Sequence, residues 1–512
     1  MQTEPLPDQD PLGWLERSLL RKPGRLFLKS VDGRTVRYGD LDAASRRMAA
    51  ALQGRGVLKG DRVTVAVEKS VEAIFLYVAC LRIGAVYMPL NTAYTPAELE
   101  YFLTDAGPRL MISSATLAGS SVRAAAARSG THVLTLEADG TGELADLCAQ
   151  SSELALAEAL RGGDLAALVY TSGTTGRSKG AMLTRANLGF GTQQLVDAWE
   201  FIPADVLLHA LPLFHVHGLF MALNTVIASG ASLLFLPRFD AEELLRMLPQ
   251  ASVLMGVPTF YTRLLNHPGF TRESAATIRV FISGSAPLLP ETHRKFTTRC
   301  GQAILERYGM TETMVIASNP LHAARKPGSV GPPLAGVEVR IAEALEGGVS
   351  LDGNRIGMIE VRGASVFKGY WNAPDKTAAD HCDDGFFITG DLGYVDADGY
   401  LHIVGRAKDL IITGGFNVYP VEVEECIDAL PGVAESAVIG LPHADFGEAV
   451  TALVVGLAGS VLSEDELLNA LKVRLAKFKL PKRFLFVAEL PRNAMGKVQK
   501  QALRTAHAGL YG

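Results

Sequence analysis

Apolar positions along the first 400 residues alternate between two periods. Short apolar runs of strand length recur at 35–38, 63–67, 85–88 and 110–112. Between them lie longer stretches with helical spacing at 41–54, where Asp40 is a candidate N-cap, and at 71–83. Strands alternating with helices predict an α/β fold built on mostly parallel sheets. The Ala/Ser-rich stretch 115–128 reads as a surface helix. Residues 206–237 carry no charge and are long enough to raise the question of a membrane span. His209, Pro212, His215, His217, Gly218, Asn224 and Gly230 interrupt the run, so a buried strand, loop, helix and strand are expected instead. Residues 71–90 carry Arg82 and read as a core helix entering a strand. No solenoid repeat is evident.

The rhythm changes near residues 405–409. A Gly/Asp-rich run of short strands, 389–404, precedes that point. After it come 410–413, the pair Gly414 and Gly415, a helix at 420–429, strands at 433–439 and 450–455, a helix at 464–475 and a strand at 483–487. This divides the chain into a large α/β domain, 1–406, and a small α+β domain, 407–512, of about 100 residues. Charged residues and glycines at the boundary suit a hinge, and suit a passive linker equally.

Composition narrows the function class. The 512 residues are 48% hydrophobic and 20% charged, with a net charge of −5. Neither nucleic acid nor an anionic membrane is an expected partner. Five scattered cysteines suggest neither a disulfide framework nor a zinc site, and a reducing cytoplasm fits. The opening MQTEPLPDQD lacks the basic and apolar regions of a signal peptide.

Candidate chemistry begins at 168–182, LVYTSGTTGRSKGAM. An apolar run feeds Thr171, Ser172, Gly173, Thr174, Thr175 and Gly176, closed by Arg177 and Lys179. Close-approaching backbone N–H groups, hydroxyls and positive charge are what a polyphosphate needs. The spacing is not that of the common P-loop, and the composition also suits a flexible linker. A second cluster, Glu306, Arg307, Tyr308, Gly309, Met310, Thr311 and Glu312, is expected to leave a strand at 303–306 and turn at Gly309. A hydroxyl beside a carboxylate there can hold Mg²⁺ against phosphate. Small residues follow the strand 278–282 at Gly284, Ser285, Ala286 and Pro287, where a flat ligand can approach the backbone. His215 and His217 flank Val216, with no third metal ligand nearby. Asp391, in a glycine turn, can accept ribose hydroxyls, and Arg406 can reach the same ribose or a phosphate. Lys497, beside Gly496, is a point charge suited to an α-phosphate, or simply a solvated lysine.

Taken in order, these motifs resemble those of the adenylate-forming superfamily over nearly the whole chain. The resemblance implies an AMP-forming acyl-CoA synthetase that uses ATP, Mg²⁺ and coenzyme A. An acid attacks ATP to give an acyl-adenylate, the C-terminal domain rotates about Asp409, and a thiol then attacks the adenylate. In that reading Lys497, His215, Thr171 and Glu312 are catalytic, and Thr171 and Glu312 hold the metal. The glycine-rich loop with Lys179, the 284–287 wall, residues 306–311, Asp391 and Arg406 bind ATP. Gly414, Gly415 and Phe416 face coenzyme A, which is expected free because no carrier domain is evident. The family also implies that a lysine acetyltransferase can act on Lys497.

The acid is narrowed further by segments such as 254–263 and 281–288, which look like malonyl-CoA synthetases. The expected acyl site comprises Arg263, Arg294, His215, Val216, Ser285, Met314 and Val315, with the two arginines gripping the second carboxylate of a small diacid. Val216 replaces the threonine usual in that subfamily, and Met314–Val315 also make the pocket less polar, leaving room for a 2-substituted malonate such as methylmalonate. A monocarboxylate ligase of the same fold and a non-catalytic nucleotide-binding protein are the competing readings.

Overall fold

The computed structural model describes residues 11–152, 159–171, 178–349, 354–493 and 496–511. The α/β expectation holds. One sheet of eight strands runs in the spatial order Met314–Ser318, Leu305–Met310, Val280–Ser283, Val253–Gly256, Val206–His209, Ser232–Phe235, Leu26–Ser30, Thr35–Arg37. Its six inner strands are parallel and the two outermost pair antiparallel. A second sheet orders His132–Thr135, Leu110–Ser113, Arg62–Ala66, Val86–Pro89, Leu165–Thr171 and Lys179–Thr184, parallel except for the last hairpin. Both sheets share one apolar core with the helices around them.

Helix Val71–Ile83 explains itself. Ser70 caps it by accepting from Ala73 N–H, Gly84 ends it in the left-handed region at φ 67°, and all its residues but Glu72 are buried. The helix expected from 41 starts earlier. It spans Tyr38–Gly54, with Arg37 at the cap and Asp40 three residues in, its carboxylate accepting Arg37 N–H at 2.8 Å. The uncharged region resolves as expected into strand Val206–His209, a π-helical turn His217–Leu223, helix Asn224–Ser229 and strand Ser232–Phe235. No helix among the described residues is long and apolar enough to cross a membrane.

The strand expected to end at Glu306 instead runs Leu305–Met310, so Gly309 lies within it, paired with Val315 of Met314–Ser318. A Cβ on Gly309 would sit 1.9 Å from the Met314 carbonyl oxygen, which explains the glycine. Gly309→Ala is expected to lower stability by about 3 kcal/mol or more. A denaturant melt monitored by tryptophan fluorescence reads this directly.

An antiparallel sheet of Val337–Val349, Arg355–Gly363, Phe387–Val395 and Leu401–Arg406 follows. Beyond the short turn Ala407–Asp409 the chain builds a separate apolar core. Strands Ile411–Thr413, Phe416–Val418, Val433–His443, Gly447–Gly456 and Arg483–Phe486 carry helices Pro420–Asp428, Glu464–Lys472 and Lys500–Ala506.

Candidate active site

The cleft forms where parallel strands of the eight-stranded sheet end, the usual crevice of open α/β sheets. Val206–His209 leads into the loop bearing His215 and His217. Val280–Ser283 leads into Gly284 and Ser285, and Leu305–Met310 carries Arg307 and Tyr308. The hairpin from the second sheet contributes Thr171 and Lys179, which are register partners. Ser172, Gly173, Thr174, Thr175 and Gly176 lie outside the described residues.

Glu312 is the buried carboxylate of the cleft. Thr171 Oγ1 donates to its Oε1 at 3.3 Å, and Tyr370 donates to the same oxygen at 3.2 Å. Burial raises its pKa, offset in part by Tyr370, Arg406 and Thr171. Tyr370 was not foreseen from sequence. Its hydroxyl lies 58 residues from Glu312 in a loop without a motif. Lys179 lies over the Tyr370 ring, 5.7 Å from its centroid. Desolvation and the neighbouring Lys376 lower its pKa.

The nucleotide-side residues cluster. Tyr308 donates its hydroxyl to Asp391, and Arg406, the register partner of Asp391, forms a 2.5 Å ion pair with it. That pairing raises the Arg406 pKa, and burial together with the Asp391 charge raises that of Tyr308. Glu306 accepts Leu288 N–H at 3.0 Å, while its buried Oε2 has no partner among the described residues. Burial pushes the Glu306 pKa up to about 8. Met310 N–H donates to Thr313 Oγ1 at 3.3 Å, closing the turn that holds Thr311. Ala286 and Pro287 follow Ser285 at the more exposed rim.

Arg307 faces away from this cluster. Neighbouring residues of a strand point to opposite faces, so Tyr308 meets Asp391 while Arg307 turns toward Gly284. A Cβ at Gly284 would lie 2.4 Å from Arg307 Nε. Arg307 is 3% exposed, and its Nε and Nη2 have no hydrogen-bond partner among the described residues. Desolvation lowers its pKa to about 10. Its charge in turn helps to lower the pKa values of His215, His217 and Lys497.

His215 accepts His217 N–H at Nδ1 over 3.1 Å. Burial, Lys497 and Arg307 lower its pKa to about 3, so the ring is neutral. The network therefore assigns its proton to Nε2, a neutral donor. Val216, Met314 and Val315 are buried within the apolar core, and Met314 is held at φ 57° against Gly191.

Lys497 joins the cleft from the C-terminal unit. Asn493 Oδ1 accepts its N–H at 3.0 Å, Asn493 N–H donates to its carbonyl, and Gly496 at φ 75° turns the loop. The residue as a whole keeps solvent contact. Desolvation, with Arg406 and Arg307 adding to it, lowers its pKa against the pull of Asp391 and Glu312.

Two expected acyl residues are not brought to the cleft in this way. Arg294 is exposed on helix Pro290–Cys300 and pairs with Glu291 at 3.4 Å, because that helix buries Thr292, His293, Phe296 and Cys300 instead. Arg263 is exposed over Phe239 and lines a cavity of about 460 Å³ with Lys69, with Phe214 beside His215, and with Asn493 and Gly496 of the Lys497 loop; Val216, Met314 and Val315 are not among its described walls. Gly414 and Gly415 form a left-handed turn, and Phe416 is exposed and stacked on Phe478 at 4.7 Å. Asp409 pairs with Arg504 at 2.8 Å.

Comparison with known proteins agrees with this arrangement. Residues 15–371 match the model of the AMP-binding enzyme family, and 422–497 match the AMP-binding enzyme C-terminal domain. A malonate–CoA ligase of Arabidopsis thaliana is 35% identical over 528 residues, covering 94% of this chain and 86% of the relative. ATP-bound MatB from Rhodopseudomonas palustris superimposes with a TM-score of 0.94 at 51% identity, covering 98% of this chain and 100% of that one. A benzoate CoA ligase from Burkholderia xenovorans LB400 superimposes at 0.86 with 28% identity, covering 97% and 99%. The chain belongs to the AMP-binding enzyme family and is an AMP-forming acyl-CoA synthetase that resembles malonyl-CoA synthetases.

Proposed function

We propose that the enzyme activates malonate, or a 2-substituted malonate such as methylmalonate, with ATP and transfers the acyl group to coenzyme A. The products are malonyl-CoA or methylmalonyl-CoA, AMP and pyrophosphate. The observation that carries this reading is Arg307, a buried guanidinium whose Nε and Nη2 are unpartnered among the described residues, on the face opposite the Tyr308–Asp391 pair. A buried cation needs a counter-ion. The second carboxylate of a short diacid meets that need with a fork-shaped contact. Arg307 thus takes the part first expected of Arg263 and Arg294, and a role at the acyl end replaces the nucleotide contact expected of Arg307 itself. Ser285 and the neutral Nε2–H of His215 add donors. Val216, Met314 and Val315 supply apolar surface for a substituent at the second carbon.

For the nucleotide we assign Asp391 to the ribose and Arg406 to its positioning. The free oxygen of Glu306 and the wall 284–287 receive the base. Lys497 stabilises charge on the α-phosphate as the acid's carboxylate oxygen attacks phosphorus and pyrophosphate leaves. Thr171, Lys179 and the 172–176 loop hold the departing phosphates. Residues 407–512 act as a lid that turns at Asp409 and brings Gly414, Gly415 and Phe416 toward the thiol in the second step.

Mg²⁺ fits Thr171 and Glu312. The carboxylate is buried and held by two hydroxyls, and Mg²⁺ takes few protein ligands when phosphates complete its shell. When bound there it supplies Lewis-acid stabilisation of polyphosphate charge. Glu312→Gln is expected to raise the Mg²⁺ concentration needed for half-maximal activity by about tenfold or more, with the KM for malonate little changed; a Mg²⁺ titration of AMP formation checks it. The overall reading is tested by mass spectrometry of a reaction with malonate, ATP, Mg²⁺ and coenzyme A. Malonyl-CoA and AMP are expected in equal amounts, and ADP in place of AMP contradicts it.

A further inference from the structure

One buried side chain of the cleft, His217, has no part in the chemistry above. His217 is fully buried at the start of the π-helical turn His217–Leu223, and its Nδ1 lies 3.1 Å from Ser285 Oγ. The turn is sterically pinned, because a Cβ on Gly218 would lie 2.2 Å from the Pro212 carbonyl oxygen. Ser285 is half-buried and held at φ 72°, a left-handed conformation uncommon for serine. Strained backbone and a buried imidazole therefore converge on one hydrogen bond.

The direction of that bond follows from the other ring nitrogen. His217 Nε2 is buried and has no partner among the described residues. Burial and the Arg307 charge keep the imidazole neutral, so it carries one proton. If Ser285 donated to Nδ1, the proton would sit on Nε2 as a buried, unpaired N–H. If Nδ1–H donates to Ser285 Oγ, only a lone pair is left unmet. Orphaned buried donors are the rarer and costlier case. Once Oγ accepts, the serine's own O–H is free to point into the cleft.

We propose that His217 is a positioning residue that donates Nδ1–H to Ser285 and thereby commits the Ser285 hydroxyl to donate to the second carboxylate of the substrate. This rests on the diacid reading. It adds that the effect of His217 is confined to diacids and passes entirely through Ser285.

The test is AMP formation by the full-length enzyme with malonate and with propionate, for wild type, His217→Leu, His217→Asn, His217→Gln, Ser285→Ala and the Leu/Ala double variant. His217→Leu and Ser285→Ala are each expected to raise the malonate KM about tenfold or more, and His217→Leu is expected to leave the KM for ATP and the propionate kcat/KM within about twofold. The double variant is expected to be no worse than either single one. Asparagine, whose amide nitrogen reaches the Nδ1 position, restores most of the loss, and glutamine does not. If the leucine variant fails to fold, the asparagine–glutamine comparison carries the test. Equal losses on both acids, additive losses in the double variant, or asparagine no better than glutamine overturn the proposal. A wild type that prefers propionate overturns the diacid reading and this inference together. A malonate-preferring wild type with unchanged His217 variants overturns the inference alone.

Discussion

Lys497→Ala is expected to reduce malonate-dependent ATP–pyrophosphate exchange by about 100- to 1,000-fold, the usual cost of removing one preorganised charge from a developing oxyanion. The lysine stands on a short loop whose backbone is tied by Asn493 and turned by Gly496. Its pKa is lowered by desolvation and by the charges of Arg406 and Arg307, against the pull of Asp391 and Glu312. In the proposed mechanism it is the group through which the C-terminal unit acts on the first half-reaction. Thioester formation from supplied malonyl-adenylate is expected to fall far less, because the proposed lid rotation withdraws Lys497 before the thiol attacks. Acetylation would neutralise the same charge, so Lys497→Gln is expected to behave like the alanine variant. Equal losses in both half-reactions would mean that Lys497 supports the fold of the loop rather than the chemistry.

Arg307→Met is expected to lower kcat/KM for malonate by about 100- to 1,000-fold, the loss seen when one partner of a buried charge pair is truncated. Methionine keeps much of the volume beside Gly284 and removes the charge. The KM for ATP is expected to change far less than that for malonate, because Tyr308 and Asp391, the proposed ribose contact, lie on the opposite strand face. Propionate, which has no second carboxylate, is expected to gain relative to malonate. Arg294→Ala is the matched control. Arg294 is exposed and pairs with Glu291, so its loss is expected to leave malonate turnover unchanged. A large rise in the KM for ATP in the Arg307 variant would return that arginine to the nucleotide site.

The contrast between Arg307 and Arg294 marks how far the site was legible in the sequence. Both arginines sit in segments that build the cleft, and proximity in sequence does not say which way a side chain points. Helix Pro290–Cys300 answers for Arg294, since its buried face is Thr292, His293, Phe296 and Cys300 and leaves Arg294 outside. The same reading applies to Arg263, off the stripe of Phe260, Tyr261 and Leu264. Only the second of these faces is apolar enough to be read at helical spacing. Arg307 was recoverable only by extending the strand past Glu306, and Gly309 discouraged that step because glycine usually marks a turn. Its true reason is the Met314 carbonyl 1.9 Å from where its Cβ would be, a long-range contact with no local signature.

Elsewhere local signals sufficed. Helix Val71–Ile83 carries its own cap, its own stop and an apolar surface all round, and its ends match expectation. Asp40 misled because an acid at the third helical position and an acid at the cap look alike without the backbone. The long hairpin Val433–His443 with Gly447–Gly456 outran its expected strands because Gly440 and Pro442 read as ends. Cross-strand pairing carries the ladder through both.

The central claim is that the pocket is built for a short diacid. It is tested most directly by a one-pot competition in which malonate, methylmalonate, propionate and butyrate are present at equal concentration with ATP, Mg²⁺ and limiting coenzyme A. The resulting thioesters are counted by mass spectrometry. Malonyl-CoA and methylmalonyl-CoA are expected to exceed the monoacyl products by about 100-fold or more, since a site with a buried cation rejects an analogue that leaves it unpaired. Predominance of propionyl-CoA or butyryl-CoA would contradict the account.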